Sequence, residues 1–523
     1  MAVAPHALAS QSALDVLRDG GNAVEAMIAA AATIAVVYPH MNSIGGDSFW
    51  LIHTPGLAPG AIDACGAAAQ AASIDAYKAR GVAGPIPFRG GVAALTVGGT
   101  ISGWGAAHKL ASKSLGGKMP LKRLLADAIQ YAKTGIPVTR SQWFNTKNKQ
   151  AELEPIAGFK ETFLVDGQPP AVASVFYQKR LARTLEQIAR AGTDDFYRGD
   201  LARSIAKDLE KLGSPIALAD LQAHQAQLCD PLALDHSLGT LHNMTPPTQG
   251  LVSLLILGIL DEIGIGSLDP SSADYIHLCV EATKQAFRVR DQTITDPAWM
   301  KVDPRSLLTR AAVRELAKKI DPRKAAPWGS KTEPGDTIWM GVIDGAGRAV
   351  SFIQSIYHEF GAGIVLPGSG INWQNRGASF SMDPNHINAL APGKKPFHTL
   401  NPALARFNDG RVMVYGAMGG DGQPQSQCAV FTRHAIYGMH PQAAVSAPRW
   451  LLGRTWGQSS ETLKLESRFD MAVGKQLGLY GHDVEILSDW DESMGHAHAI
   501  VRHPNGVFEG GADPRSDGSV AAY

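Results

Sequence analysis

Residues 321–336 read DPRKAAPWGSKTEPGD, a run of prolines, glycines and charges that leaves little to bury. The texture of the chain changes across this run. Before it, amphipathic patterns recur at 121–132, 175–191, 201–212 and 275–290 and predict helices. After it, short alternating segments punctuated by Gly and Pro predict strands at 337–343, 349–356, 411–415, 462–465, 483–487 and 498–502. The run itself reads as an exposed, mobile linker. A surface loop between two halves of one domain would have the same composition. The expected division is therefore 1–336, mostly helical and ending in the linker 321–336, followed by a strand-rich 337–523.

The first segment carries clear helix punctuation. Ser10 is the expected N-cap of a helix over 11–18, and Gly20-Gly21 stops it. Asn22 caps an alanine-rich helix that ends at Tyr38-Pro39. That apolar stretch, 23–37, contains Glu25 and is too short to span a bilayer, so it predicts a buried helix packed through small side chains. With 45% hydrophobic and 18% charged residues, the chain of 523 can fill a large core. Lys plus Arg and Asp plus Glu number 48 each, a balance without the electrostatic footprint of a nucleic-acid or membrane-surface binder. A small molecule held in a pocket is the expected partner. Four cysteines (Cys65, Cys229, Cys279 and Cys428) show no metal-like spacing, and residues 1–10 have neither a basic start nor an apolar run. Both features point to reduced thiols and a cytoplasmic location.

The chemistry gathers behind the linker. If Gly345-Ala346-Gly347 forms a three-residue hairpin loop, Asp344 pairs with Arg348 and Thr337 falls opposite Ser355, side chains on one face. A two-residue loop would place Gln354 there instead. A threonine at a chain start is a complete nucleophilic unit, because its hydroxyl attacks and its own α-amine accepts the proton. That amine titrates near about 7.7–8.0, so a useful fraction is neutral at physiological pH. Cleavage between Asp336 and Thr337 would create nucleophile and base together. Acyl transfer also needs an oxyanion hole, and 414–421 runs from a strand into Gly419-Gly420, whose amides can converge on one oxygen because no Cβ intervenes. Taken alone, such a glycine pair is also the mark of an ordinary turn.

Short motifs run in order along the chain: Ala9-Ser10-Gln11, Gly20-Gly21-Asn22-Ala23, Pro39-His40 and Ile44-Gly45-Gly46, then Pro246-Pro247-Thr248, Glu281-Ala282 and Asp296-Pro297. Gly335-Asp336-Thr337, Phe360-Gly361-Ala362-Gly363, Pro392-Gly393-Lys394-Lys395-Pro396, Gly419-Gly420 and Gly511-Ala512-Asp513-Pro514-Arg515 follow. In this order they resemble the γ-glutamyltransferase family of N-terminal nucleophile hydrolases. The resemblance implies a four-layer αββα sandwich and autocatalytic cleavage into large and small subunits that stay associated as one intertwined domain. It leaves room for a homodimer of such heterodimers. It implies that Thr337 is the nucleophile, that Ser355 replaces the supporting threonine, and that Gly419 and Gly420 supply the oxyanion amides. No cofactor and no metal are required.

Departures from the family pattern concern the substrate. Cys65 stands where the family has its glutamyl-binding arginine, and Tyr357 replaces an asparagine. The amine-gripping acidic run becomes 373–379, containing Arg376, and a serine pair becomes His398-Thr399. Without opposite charges in fixed places, the clamp for a glutamyl group is gone. Tyr357, Arg376, His398 and Thr399 are the expected substrate contacts, with Arg376 and His398 holding one carboxylate of a short substrate, as in the branch that hydrolyses oxamate. Blander roles remain open: Arg376 as a surface charge, Tyr357 as packing, Cys65 as a small unreactive core residue. His496 and His498, lacking a third ligand, are expected to be structural. The glycine turns at 361–363 and 416–422 open no βαβ unit and are not read as nucleotide loops. The leading expectation is an amidohydrolase. A γ-glutamyl hydrolase, transferase or acylase with a rebuilt pocket is the alternative, and an uncut binding protein is a third.

Overall fold

The computed structural model describes residues 1–329, 336–454 and 460–523. The strands of its two large sheets, in chain order, are β1 (Ala2–Ala4), β2 (Asp47–His53), β3 (Gly60–Ala64), β4 (Gln227–Cys229), β5 (Leu232–His236), β6 (Gly239–Asn243), β7 (Asp336–Ile343), β8 (Ala349–Tyr357), β9 (Ala403–Phe407), β10 (Val412–Ala417), β11 (Ala497–Arg502), β12 (Phe508–Gly511) and β13 (Ser519–Ala521). One sheet runs β13-β1-β7-β8-β2-β3-β4 and the other β12-β11-β10-β9-β6-β5. Strands from before and after the linker are interleaved: β7 and β8 sit between β1 and β2, and β9 pairs with β6.

Side-chain alternation assigns the layers. Ile338, Met340 and Val342 of β7 join the core formed with α1 (Ala7–Arg18) and α2 (Ala23–Val37). Trp339 and Ile343, on the opposite face, pack with Phe49 and Leu51 of β2 against Leu404, Val414 and Ile500 of the second sheet. The outer face of that sheet, with Ala405, Met413 and Tyr415, is covered by α3 (Gly250–Ile263), α4 (Ala273–Thr293) and α5 (Gln423–Phe431). The result is helices, sheet, sheet, helices: the expected αββα sandwich.

Local readings fared unevenly. Asn22 caps α2 through a capping box with Glu25, and every residue of α2 is buried. The cap of α1 is His6 rather than Ser10; Ser10 lies inside the helix and donates its hydroxyl to Ser519 O at 2.7 Å. The 121–132 pattern is split into Leu121–Leu124 and Ala126–Thr134, and the start of 175–191 is a short strand, Val175–Phe176. Helix α3 is apolar all round and so carries no amphipathic period to read. Of the linker, 330–335 lies outside the described residues, and that part of the mobility expectation with it. Residues 321–329 have no helix or strand, yet they are held: His277 of α4 contacts Asp321 O at 2.8 Å, Lys284 donates to Ala326 O at 2.7 Å, and Ala325 N donates to Tyr480 O at 2.7 Å.

Candidate active site

The hairpin register is as read from the sequence over most of its length. Asp344 N donates to Arg348 O at 3.0 Å, and pairs run from Ile343–Ala349 to Ile338–Gln354. There the ladder slips: the next pair is Asp336–Tyr357, so Ser355 and Ile356 together oppose Thr337. The expected one-to-one facing of Thr337 and Ser355 is therefore replaced by a β-bulge. Its cause is local. Tyr357 adopts φ +81°, a left-handed conformation that costs an L-residue about 1–2 kcal/mol, and its N–H folds back onto Ser355 Oγ at 2.8 Å. Ser355 instead pairs directly with Asp47 on the other flank of β8.

Thr337 is fully buried. Further along its strand, two glycines allow close packing against the second sheet. A Cβ on Gly416 would lie 2.2 Å from Trp339 Cδ1, and one on Gly341 would lie 3.0 Å from Val414 Cγ2, so β7 and β10 cross-pack with Trp339 on Gly416 and Gly341 on Val414. Strand β10 ends at Ala417, and Gly419-Gly420 follow directly after Met418. Both Gly419 (φ +118°) and Gly420 (φ +54°) have backbone conformations that favour glycine. This turn is held from behind: Gln249 Nε2 donates to Gly420 O at 2.9 Å and to Thr399 O at 2.8 Å. Arg290 Nη1 donates to Gln249 Oε1 at 3.3 Å and Asp421 Oδ1 at 2.8 Å.

The expected substrate residues converge. The Arg376 guanidinium lies 4.0 Å over the Tyr357 ring, and its Nη1 donates to Thr399 Oγ1 at 3.4 Å. Arg376 is 1% exposed, which rules out the surface-charge reading. Its Nε and Nη2 are buried and have no hydrogen-bond partner among the described residues. Burial pulls its pKa down to about 10, against the raising influence of Tyr357, Asp47 and Cys65. His398 Nε2 lies 3.1 Å from Cys65 Sγ and 3.3 Å from Asp47 Oδ2. Burial, with Arg376 and Lys395 nearby, holds the His398 imidazole neutral, well below its usual range. Cys65 is buried as expected, and desolvation first, then Asp47 and Asp63, push its thiol well up; it is no thiolate nucleophile.

Sequence reading missed Asp47 except as part of a turn. Its Oδ1 accepts from Gly66 N at 3.0 Å and Gly99 N at 2.9 Å, and burial pushes its pKa up to about 6 while those amides and Arg376 pull it down. It also missed Lys395, which donates to Asp63 Oδ2 at 2.6 Å beside Cys65. An acid directly after a glycine pair at a strand start was the available signal. His496 and His498 lie buried beside Asp513, whose N–H donates to His498 Nδ1 at 3.0 Å, consistent with structural roles.

A four-layer αββα sandwich of this kind is the fold of the N-terminal nucleophile hydrolase class. The family model for gamma-glutamyltranspeptidase matches residues 9–523. The oxamate amidohydrolase proenzyme of Klebsiella pneumoniae is 59% identical over all of this chain and 98% of its own length. The glutathione hydrolase-like YwrD proenzyme of Bacillus subtilis is 40% identical over 99% and 98%. Among solved structures, cephalosporin acylase from Bacillus halodurans superposes with TM-score 0.90 at 34% identity, covering 100% of this chain and 95% of that one. The chain belongs to the γ-glutamyltranspeptidase family.

Proposed function

We propose that this protein is an autoprocessing threonine amidohydrolase whose substrate is a short amide bearing one carboxylate, oxamate in the first instance. The observation that carries the reading is Arg376: a buried guanidinium braced by Tyr357 and Thr399, with two adjacent N–H donors left without a protein partner among the described residues. Such a fork matches a carboxylate bidentately. The 59% identity to an oxamate amidohydrolase proenzyme over the whole chain supports the same substrate.

In this reading the chain cuts between Asp336 and Thr337, separating a large subunit, 1–336, from a small one, 337–523. Thr337 Oγ1 attacks the amide carbonyl, its freed α-amine taking the proton. The amides of Gly419 and Gly420 hold the oxyanion, and Ser355, anchored by Tyr357 N–H, supports the nucleophile. Ammonia leaves with a proton returned by the α-amine, and water, activated by the same amine, releases the acid. Tyr357, Arg376, His398 and Thr399 orient the substrate. The four cysteines are all free, which supports work in the reducing cytoplasm. Among the described residues no helix is long and apolar enough to cross a membrane.

The test compares ammonia release from oxamate with turnover of a chromogenic γ-glutamyl anilide by the cleaved enzyme. Oxamate turnover with little anilide turnover is expected. Strong anilide turnover and none of oxamate would overturn the proposal in favour of a γ-glutamyl enzyme.

A further inference from the structure

Behind the second sheet, in the outer helical layer, three potential metal ligands meet. His277 and Glu281 stand four residues apart on α4 and so share one face. His482 arrives from the turn after the helix Met471–Leu479. One ligand atom from each of the three lies within 4.8 Å of the others, and all three residues are buried. We propose that His277, Glu281 and His482 form a binding site for a divalent transition-metal ion, Zn2+ best, bridging the segments before and after Thr337.

The surroundings are those of a metal site rather than of a core histidine pair alone. His277 Nε2 is committed to Asp321 O at 2.8 Å, which fixes the N–H on that nitrogen and turns the Nδ1 lone pair inward. Outer bonds of this kind to a backbone carbonyl are how metal-bound imidazoles are oriented. Nδ1 meets His482 Nε2 at 2.8 Å. Two nitrogens on tetrahedral Zn2+, each about 2.05 Å from it, would stand about 3.3 Å apart, so the pair must open by roughly 0.5 Å. Since His277 Nδ1 offers a lone pair, the 2.8 Å contact uses the N–H of His482 Nε2, and ligation by His482 requires that proton to move to its Nδ1. Glu281 accepts from Lys284 Nζ at 2.7 Å on Oε1 and from Ala326 N at 3.2 Å on Oε2. Lys284 also donates to Ala326 O at 2.7 Å, a bond it keeps if it releases the carboxylate to the ion. Two imidazoles and one carboxylate suit Zn2+ and are too poor in oxygen for Ca2+ or Mg2+. Tyr480, whose ring packs 5.1 Å from His277, lines a surface cavity of about 470 Å³ with Asp274 and Arg323. Because Asp321 and Ala326 hang on these same ligands, a bound ion would also clamp the start of the linker.

The experiment is calorimetric titration of the cleaved, chelator-stripped enzyme with ZnCl2, repeated with Co2+ read by its tetrahedral absorption bands. One ion per cleaved chain is expected, with a thermal midpoint raised by a few degrees at saturating Zn2+. His482→Gln should abolish both signals, and Glu281→Gln should weaken binding at least tenfold, with melting in chelator checking that each variant is folded. No uptake of Zn2+ by the wild type, or uptake that persists unchanged in folded His277→Gln/His482→Gln, would overturn the proposal.

Discussion

Replacing Arg376 by methionine separates binding from stability. The guanidinium contributes two open donors, Nε and Nη2, and each charge-assisted hydrogen bond to a substrate carboxylate is worth about 1.5–3 kcal/mol. Losing both removes roughly 3–6 kcal/mol, or about two to four powers of ten in kcat/KM for oxamate. In the free enzyme the same donors are buried without protein acceptors among the described residues, a cost of about 1–3 kcal/mol that methionine does not incur. Against this stand the long Thr399 contact of 3.4 Å, the attraction of Asp47 and the stacking on Tyr357, which a thioether partly replaces. Arg376→Met should therefore lose oxamate turnover while its denaturation midpoint stays level or rises. Arg376→Lys keeps the charge but not the fork and should retain an intermediate activity. Steady-state ammonia release and urea denaturation on the same preparations decide the matter. An Arg376→Met enzyme within fivefold of wild type in kcat/KM would refute the assignment of the carboxylate to this residue.

Other perturbations are as direct. Thr337→Ala should leave a single uncut chain on a denaturing gel and no turnover; two fragments would show that the nucleophile lies elsewhere. Gly416→Ala sets a Cβ 2.2 Å from Trp339 and should cost about 1–3 kcal/mol or more in chemical denaturation, with cleavage before Thr337 impaired. Glu492 has its pKa raised to about 7 by burial, with Asp517 and Asp491 adding to the rise and Ser141 and Arg140 opposing it. Its folded pKa exceeds its unfolded one, so the stability it contributes is full below about 4.5 and is lost as pH rises toward 7. Glu492→Gln should therefore match wild type near pH 4.5 and exceed it at pH 8, by up to about 3 kcal/mol, in urea titrations at the two pH values.

The sandwich was legible where alternation and punctuation are local. The hairpin from Ile338 to Gln354 follows from loop length, and the burial of α2 follows from an apolar sequence whose one charge, Glu25, is spent on the cap. The bulge was not legible, because the alternation of 349–357 runs on through Ser355 and nothing in the letters marks Tyr357 as left-handed. The Arg376 guanidinium that covers its ring comes from nineteen residues further along the chain. The Asp47, Cys65 and His398 meeting joins positions up to 351 residues apart, at a strand start, just past a strand end and in a loop, and only the folded chain brings them together. Arg376 was legible as a charge out of place but not as a buried one, since burial is a property of the neighbours.

The interleaving of strands has a consequence for the lifetime of the protein. A cut before Thr337 would leave β7 and β8 hydrogen-bonded between β1 and β2, so the fragments would share one ladder and one core. Dilution cannot part them without unfolding both. Unfolding, however, turns one molecule into two, and recovery then depends on a bimolecular encounter of incomplete sheets with exposed edges. Such a cut would make the native state a one-way destination: the enzyme would persist through the height of its unfolding barrier rather than through repeated refolding, and its working life would be set by the rate at which β7 first leaves its neighbours.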